Sequence, residues 1–159
     1  KHSKSAVGIE LDENRAKKLN NQGYNIKVGN AETINLNKKF DVVIAGDLIE
    51  HIDNPGLMLD NITDHLKEDG IFICNTPNIY SFNFSLKSLI SGGNVKHFHE
   101  HTLGFTAQLL HTLFKRHRLK IKKTIYFTHP EKSFLSKIIR LAGKISKKWN
   151  ENILIIAQK

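Results

Sequence analysis

The run from Phe40 to His51, Phe-Asp-Val-Val-Ile-Ala-Gly-Asp-Leu-Ile-Glu-His, constrains this chain more than any other stretch. Its first part, Val42-Val43-Ile44-Ala45, is continuously apolar between Asp41 and Gly46. A short apolar run without polar alternation predicts a strand buried on both faces, as in the parallel sheet of an α/β domain. Polar groups gather where the run stops: Asp47, Glu50 and His51. Ligands of open α/β sheets bind just beyond the carboxyl ends of the strands. Chemistry is therefore expected here.

The flanking sequence supports the same fold class. Ser5 to Glu10 and Tyr24 to Val28 predict two short strands on either side of a helix that Asp12 caps and Gly23 stops. Asn54-Pro55 starts another helix, with Leu59, Ile62 and Leu66 as its apolar stripe and Asp69-Gly70 as its end. A strand over Ile71 to Asn75 follows, terminating at Thr76-Pro77-Asn78. Thr106 caps a helix whose Leu109, Leu110, Leu113 and Phe114 share a face. Leu119 to Phe127 predicts an edge strand that turns Lys120 and Lys122 outward, and Asn152 to Ala157 a last strand. Strands alternating with helices at short spacing predict a parallel sheet with crossover helices. At 159 residues the chain is one domain's worth.

Charge is segregated. Of 24 basic and 15 acidic side chains, 12 and one fall between Lys115 and Lys148, leaving 12 and 14 elsewhere. The basic character therefore belongs to the C-terminal third, where residues 131–149 predict an amphipathic basic helix. Phe134, Ile138, Leu141, Ala142, Ile145 and Trp149 form its apolar side. Three readings stay open for it: a solvated helix packed on the domain, docking on an anionic membrane surface, or RNA binding, which lacks a recognisable motif. No apolar run approaches the roughly 20 residues of a membrane span, and no signal-peptide core follows Lys1-His2-Ser3-Lys4. The single cysteine, Cys74, lies in an apolar run and is expected to be a buried thiol. A reducing, cytoplasmic compartment is expected, peripheral to the membrane if the basic helix docks there.

Several short motifs now stand in order: Val7-Gly-Ile-Glu10, Gly29-Asn30-Ala31-Glu32, Phe40-Asp41-Val-Val with Glu50-His51, Leu66-Lys-Glu-Asp-Gly70, and Thr76-Pro77-Asn78. Together they resemble the later motifs of class I S-adenosylmethionine-dependent methyltransferases, particularly the small-molecule, ubiquinone-type O-methyltransferase branch. The resemblance runs to about His117 and implies a Rossmann-like sheet with flanking helices. It also implies S-adenosylmethionine as cofactor and a small-molecule acceptor, with a hydroxyl ahead of nitrogen or carbon. Glu10, with Leu11 beside it, would meet the ribose hydroxyls, since a carboxylate accepts two hydrogen bonds at once. Asn30 and Ala31, followed by Glu32, would meet the adenine edge, although the family more often has Asp at the Asn30 position. Ala45 and Gly46 would line the floor near the methionine moiety, where small residues let a ligand approach.

One departure stands out. The family's first strand and Gly-rich loop should precede Glu10 by about 20 residues, yet only nine residues precede it, with one glycine, Gly8. The expectation is one N-terminally incomplete domain over 1–159, part of a longer protein, with its first strand and Gly-rich loop absent. In the family that strand lies mid-sheet, between those of Glu10 and Phe40.

For a hydroxyl acceptor a base must take the proton, and His51 suits the task near neutral pH. Asp47, Glu50 and His51 stand at i, i+3 and i+4, so on a helix they would share a face and could hold a divalent metal. Alternatively, Glu50 and His51 bond backbone at a helix start. The alternating His97, His99 and His101 would face one way in an extended segment, and the resemblance puts a loop over the acceptor here, which favours His99 as a contact; the alternative is a polar loop whose imidazoles are satisfied locally. The rival from another class is a non-catalytic remnant that binds a partner, membrane or RNA through its basic third.

Overall fold

The computed structural model describes residues 6–90, 92, 102–128, 141 and 143–159. Strand β1 (Gly8–Glu10) leads into helix α1 (Glu13–Asn21) and strand β2 (Ile26–Val28). Strand β3 (Phe40–Gly46) follows, then α2 (Pro55–His65), β4 (Leu66–Pro77), α3 (Phe82–Ile90), α4 (Ala107–Arg116), β5 (Lys120–Phe127) and β6 (Asn152–Gln158). The expected caps are in place: Asp12, Asn54 and Thr106 each accept a hydrogen bond from the backbone N–H three residues on. Each offsets one of the orphan donors that open a helix.

The strands form two sheets. β1 and β2 pair in parallel, and β3, β4, β6 and β5 form a four-stranded sheet in that order. β3 and β4 run parallel, whereas β6 lies antiparallel between β4 and β5. Among the described residues no strand joins β1 to β3. The break falls where the family resemblance places a first strand.

That break corrects the reading of β3. Expected to be buried on both faces, it is an edge strand whose Val42 and Ile44 are 48% and 70% exposed. Its other face, with Val43 and Ala45, looks into the core. The same division runs across the sheet. Phe72, Cys74, Ile153, Ile155 and Ala157 are buried, while Ile71, Ile73, Leu154 and Ile156 on the opposite face are only partly covered. Both α2, through Met58, Leu59 and Ile62, and α4, through Leu110 and Phe114, pack on the buried face. The Phe72 and Phe114 rings meet at 5.4 Å between centroids.

Three further expectations change. Leu66 does not extend the stripe of α2; that helix ends at His65 and Leu66 opens β4 opposite Phe40, fully buried. Leu109 points outward from α4 and is 54% exposed, leaving Ala107, Leu110 and Phe114 in the core with Leu113 packed against it. The basic helix does not run unbroken to Trp149. Residues 143–145 are helical, Ser146 is extended (φ −138°, ψ 120°), and Lys147–Trp149 is a separate 3-10 turn. Phe134, Ile138 and Ala142 lie outside the described residues.

Candidate functional site

Two groups of side chains collect at the carboxyl ends of parallel strands. The first belongs to β1 and β2. Glu10 closes β1, and its carbonyl accepts the Gly29 N–H at 2.9 Å, so the two strand ends are fastened together. Its carboxylate accepts the Asp12 N–H on Oε1 at 3.1 Å and stands 3.6 Å from Arg15 Nη1 through Oε2. A carboxylate offers about four acceptor positions, so capacity for a neighbouring diol remains. Leu11 is exposed beside it. After β2 the chain turns tightly at Gly29, where a Cβ would meet the Ile34 side chain at 2.4 Å. Asn30 Oδ1 accepts the Glu32 N–H at 2.8 Å.

The second group belongs to β3 and β4. Gly46 ends β3, and Asp47 follows at φ 47°, a left-handed conformation that Asp tolerates better than most residues. Asp47 donates its N–H to the Asn75 carbonyl at 3.1 Å and accepts from Asn75 Nδ2 on Oδ1 at 2.7 Å. The backbone then enters a 3-10 turn, Ile49–His51, which buries Ile49 and Glu50 and leaves His51 exposed. Glu50 is 2% exposed; Oε2 accepts the Thr76 hydroxyl at 2.9 Å, while Oε1 is buried with no hydrogen-bond partner. The Glu50 carbonyl accepts three donors, the N–H groups of Thr102 and Leu103 and the Thr102 hydroxyl. The turn thus anchors the chain where it re-enters at Thr102.

This geometry corrects the metal expectation for Asp47, Glu50 and His51. The spacing i, i+3, i+4 brings side chains together on an α-helix, but here Asp47 lies outside the turn and Glu50 points inward to Thr76. Among the described residues no group of three histidine, cysteine or acidic side chains is placed to hold a metal ion. His99, with His97 and His101, lies outside the described residues.

Glu32 links the two groups. Its Oε1 accepts the N–H groups of Asp53 and Asn54 at 3.1 and 3.2 Å, two and three residues beyond His51. Asn61 of α2 reinforces the tie by donating to the Ala31 and Ile34 carbonyls at 2.9 and 3.0 Å. The loop after β2 is therefore held against the segment that follows β3. In the sequence Glu32 falls with the adenine-edge residues and Thr76 in a motif, but neither their cross-links nor Asn61 is legible there, because bonds across about 20 to 30 residues leave no local period.

Cys74 is buried in the core strand β4. Desolvation first, then the carboxylates Glu50 and Asp47, push its thiol up to about 12. It stays protonated and is no nucleophile, as its apolar surroundings predicted.

A sheet with helices packed on it and polar groups at its strand ends defines the Rossmann-like class of nucleoside-binding folds. Comparison with known proteins narrows this. A family described as "Methyltransferase domain" matches residues 1–123, and the chain belongs to that family. It is 27% identical over 96 residues to the ubiquinone biosynthesis O-methyltransferase of Rickettsia typhi, covering 58% of this chain and 39% of the relative. The corresponding protein of Rickettsia akari is 30% identical over 89 residues, covering 54% and 36%. The matches therefore span less than half the length of these relatives. Among solved structures, a SAM-dependent methyltransferase of Thermotoga maritima, described as a possible histamine N-methyltransferase, superposes with a TM-score of 0.69 at 19% identity. That match covers 96% of this chain and 72% of that one. One from Archaeoglobus fulgidus gives 0.67 at 18%, covering 96% and 75%. These structures establish the fold.

Proposed function

We propose that this chain forms part of an S-adenosylmethionine-dependent methyltransferase acting on a small-molecule acceptor, with a hydroxyl as the receiving group. Membership of the methyltransferase-domain family and the O-methyltransferase relatives support the reading. The observation that carries it is the Glu32 bridge, which brings a ribose-type carboxylate site at β1 and a polar strand end at β3 into one neighbourhood.

The acceptor chemistry at Glu10 fits the nucleoside half of the cofactor. Bound there, S-adenosylmethionine supplies an electrophilic methyl group on a sulfonium centre. Glu10 takes the ribose hydroxyls, with Leu11 packing alongside; Asn30 and Ala31 border the adenine. Oε1 of Glu32 accepts the Asp53 and Asn54 amides and holds that loop in place, while its other acceptor positions remain for the adenine side of the cofactor. Ala45 and Gly46 form the floor. Exposed at the end of its turn, His51 accepts the acceptor's proton, and Asp47 orients the polar end of the site. His99 is the further candidate contact to the acceptor.

Calorimetric titration of S-adenosylmethionine tests this, on the 159-residue chain and on a version extended upstream in its gene. Binding by either version, weakened at least tenfold in Glu10→Gln and unchanged in His51→Ala, is the expected result. No binding by either version, or binding indifferent to Glu10→Gln, refutes it. His51→Ala should abolish turnover; full turnover removes His51 from the mechanism.

A further inference from the structure

Sequence periodicity gives residues 131–149 an apolar side, and of the readings open for it, packing that side on the domain does not hold for the described part of this segment. Leu141 and Ile145 are 61% and 75% exposed, and Trp149 is 40% exposed. Gly143 makes the inward contact instead. It is buried, a Cβ there would lie 2.7 Å from Asn150 Oδ1, and its carbonyl accepts from Asn150 Nδ2. The glycine lets this turn lie close to the domain while its large apolar side chains face away. Lys144, Lys147 and Lys148 are exposed among them, and none makes an ion pair among the described residues.

The turn is also fixed in place. Phe82 of α3 packs on the Trp149 ring at 6.0 Å between centroids. Asn78 Nδ2 donates to the Lys148 and Asn150 carbonyls at 2.8 and 2.9 Å, and Asn83 Nδ2 donates to Glu151 Oε1 at 2.7 Å. Exposed leucine and isoleucine on a fastened element, interleaved with lysines of one sign, make a surface built to meet something.

We propose that Leu141 and residues 143–149 dock on an anionic membrane surface, with Leu141 and Ile145 entering the acyl boundary, Trp149 at the headgroup level and the three lysines on lipid phosphates. Charge decides the partner. The body outside 115–148 carries 12 basic and 14 acidic groups, so the excess positive charge that an anionic surface would meet is concentrated in this part of the chain. Nucleic acid would satisfy the lysines and leave Leu141 and Ile145 in water. An anionic bilayer satisfies both, and a basic turn with an apolar side and an indole at its edge is the pattern of interfacial binding. The inference stands independently of the methyl-transfer reading.

Trp149 is the only tryptophan in the chain, so intrinsic fluorescence reports this surface alone. Vesicles of phosphatidylcholine with and without 30 mol% phosphatidylglycerol (roughly the range of anionic cell membranes) are titrated into the full 159-residue chain. The expected result is a blue shift and co-sedimentation with the anionic vesicles, lost at high salt. At about fivefold per lysine, Lys144→Gln/Lys147→Gln/Lys148→Gln should weaken binding on the order of a hundredfold. Leu141→Ser/Ile145→Ser should abolish the blue shift; both variants change only exposed side chains. Equal affinity for neutral vesicles, or binding unchanged in both variants, overturns the proposal. So does self-association in sedimentation velocity that Leu141→Ser/Ile145→Ser removes, or salt-sensitive RNA retention without vesicle binding.

Discussion

Asn78 offers the sharpest test of how the strand ends are held. It follows β4, is 3% exposed, and uses its whole amide: Nδ2 donates to the Lys148 and Asn150 carbonyls, and Oδ1 accepts the Tyr80 N–H at 3.1 Å. Its own N–H donates to the Glu151 carbonyl at 2.7 Å and survives any substitution but proline. Asn78→Ala removes three side-chain bonds, each with a net contribution of about 0.5–1.5 kcal/mol. The two carbonyls it leaves lie beside a buried position, so the expected loss is about 3 kcal/mol, a large share of the roughly 5–15 kcal/mol that holds a domain folded. Asn78→Asp is almost isosteric yet faces two carbonyl oxygens with a carboxylate that cannot donate. It should cost at least as much at pH 7. Urea unfolding followed by Trp149 fluorescence and by far-ultraviolet circular dichroism measures both variants. A loss below 1 kcal/mol in Asn78→Ala, or wild-type stability in Asn78→Asp, would show that these bonds do not fasten the 147–151 turn.

Two further predictions concern the buried groups of β4. Cys74 should resist a thiol reagent at pH 8 in the folded chain and react at once in urea. Because its thiol sits near 12 when folded and near 9.0 otherwise, the folded state holds a proton that the unfolded chain releases as pH rises through that window. Stability should therefore be fully present below pH 9 and fall between about 9 and 12, by up to about 1.4 kcal/mol per pH unit. Cys74→Ala should flatten that slope in alkaline unfolding curves; an unchanged slope would refute the assignment. Thr76→Val deprives Glu50 of its hydroxyl donor, leaving both carboxylate oxygens without a partner, and should lower stability by about 1–3 kcal/mol in thermal melts. Adding Glu50→Leu should restore part of the loss, since removing both polar partners costs less than orphaning one; an additive double variant would contradict this.

Much of the fold is legible along the chain where the cause is local. The bounds of β3, Phe40 to Gly46, follow from one apolar run with polar ends, and the caps Asp12, Asn54 and Thr106 follow from side chains that reach their own helix. Faces are less legible. Val42 and Ile44 have the composition of a doubly buried strand, yet burial depends on a neighbour and a cover that the strand itself does not encode. Leu141, Ile145 and Trp149 show the same gap from the other side: their spacing marks a shared apolar face, and only Gly143 decides which way it turns. At the site, Glu10 and Asn30 are marked by motif order. The Glu32 bridge and the inward turn of Glu50 arise from contacts between distant segments. That is why the helical spacing of Asp47, Glu50 and His51 suggested a metal group that the 3-10 turn does not assemble.

The position of β6 has a consequence for how the chain is made. Residues 152–158 lie between β4 and β5, so every other strand of the sheet leaves the ribosome before its centre does. Until then β4 and β5 each display an open, unpaired edge, the state in which nascent chains pair with one another. During that interval β3 and β4 can zip together, but β5 has no neighbour to hold it. Synthesis rate over residues 152–158, and chaperone cover for the waiting β4–β5 gap, should therefore affect yield.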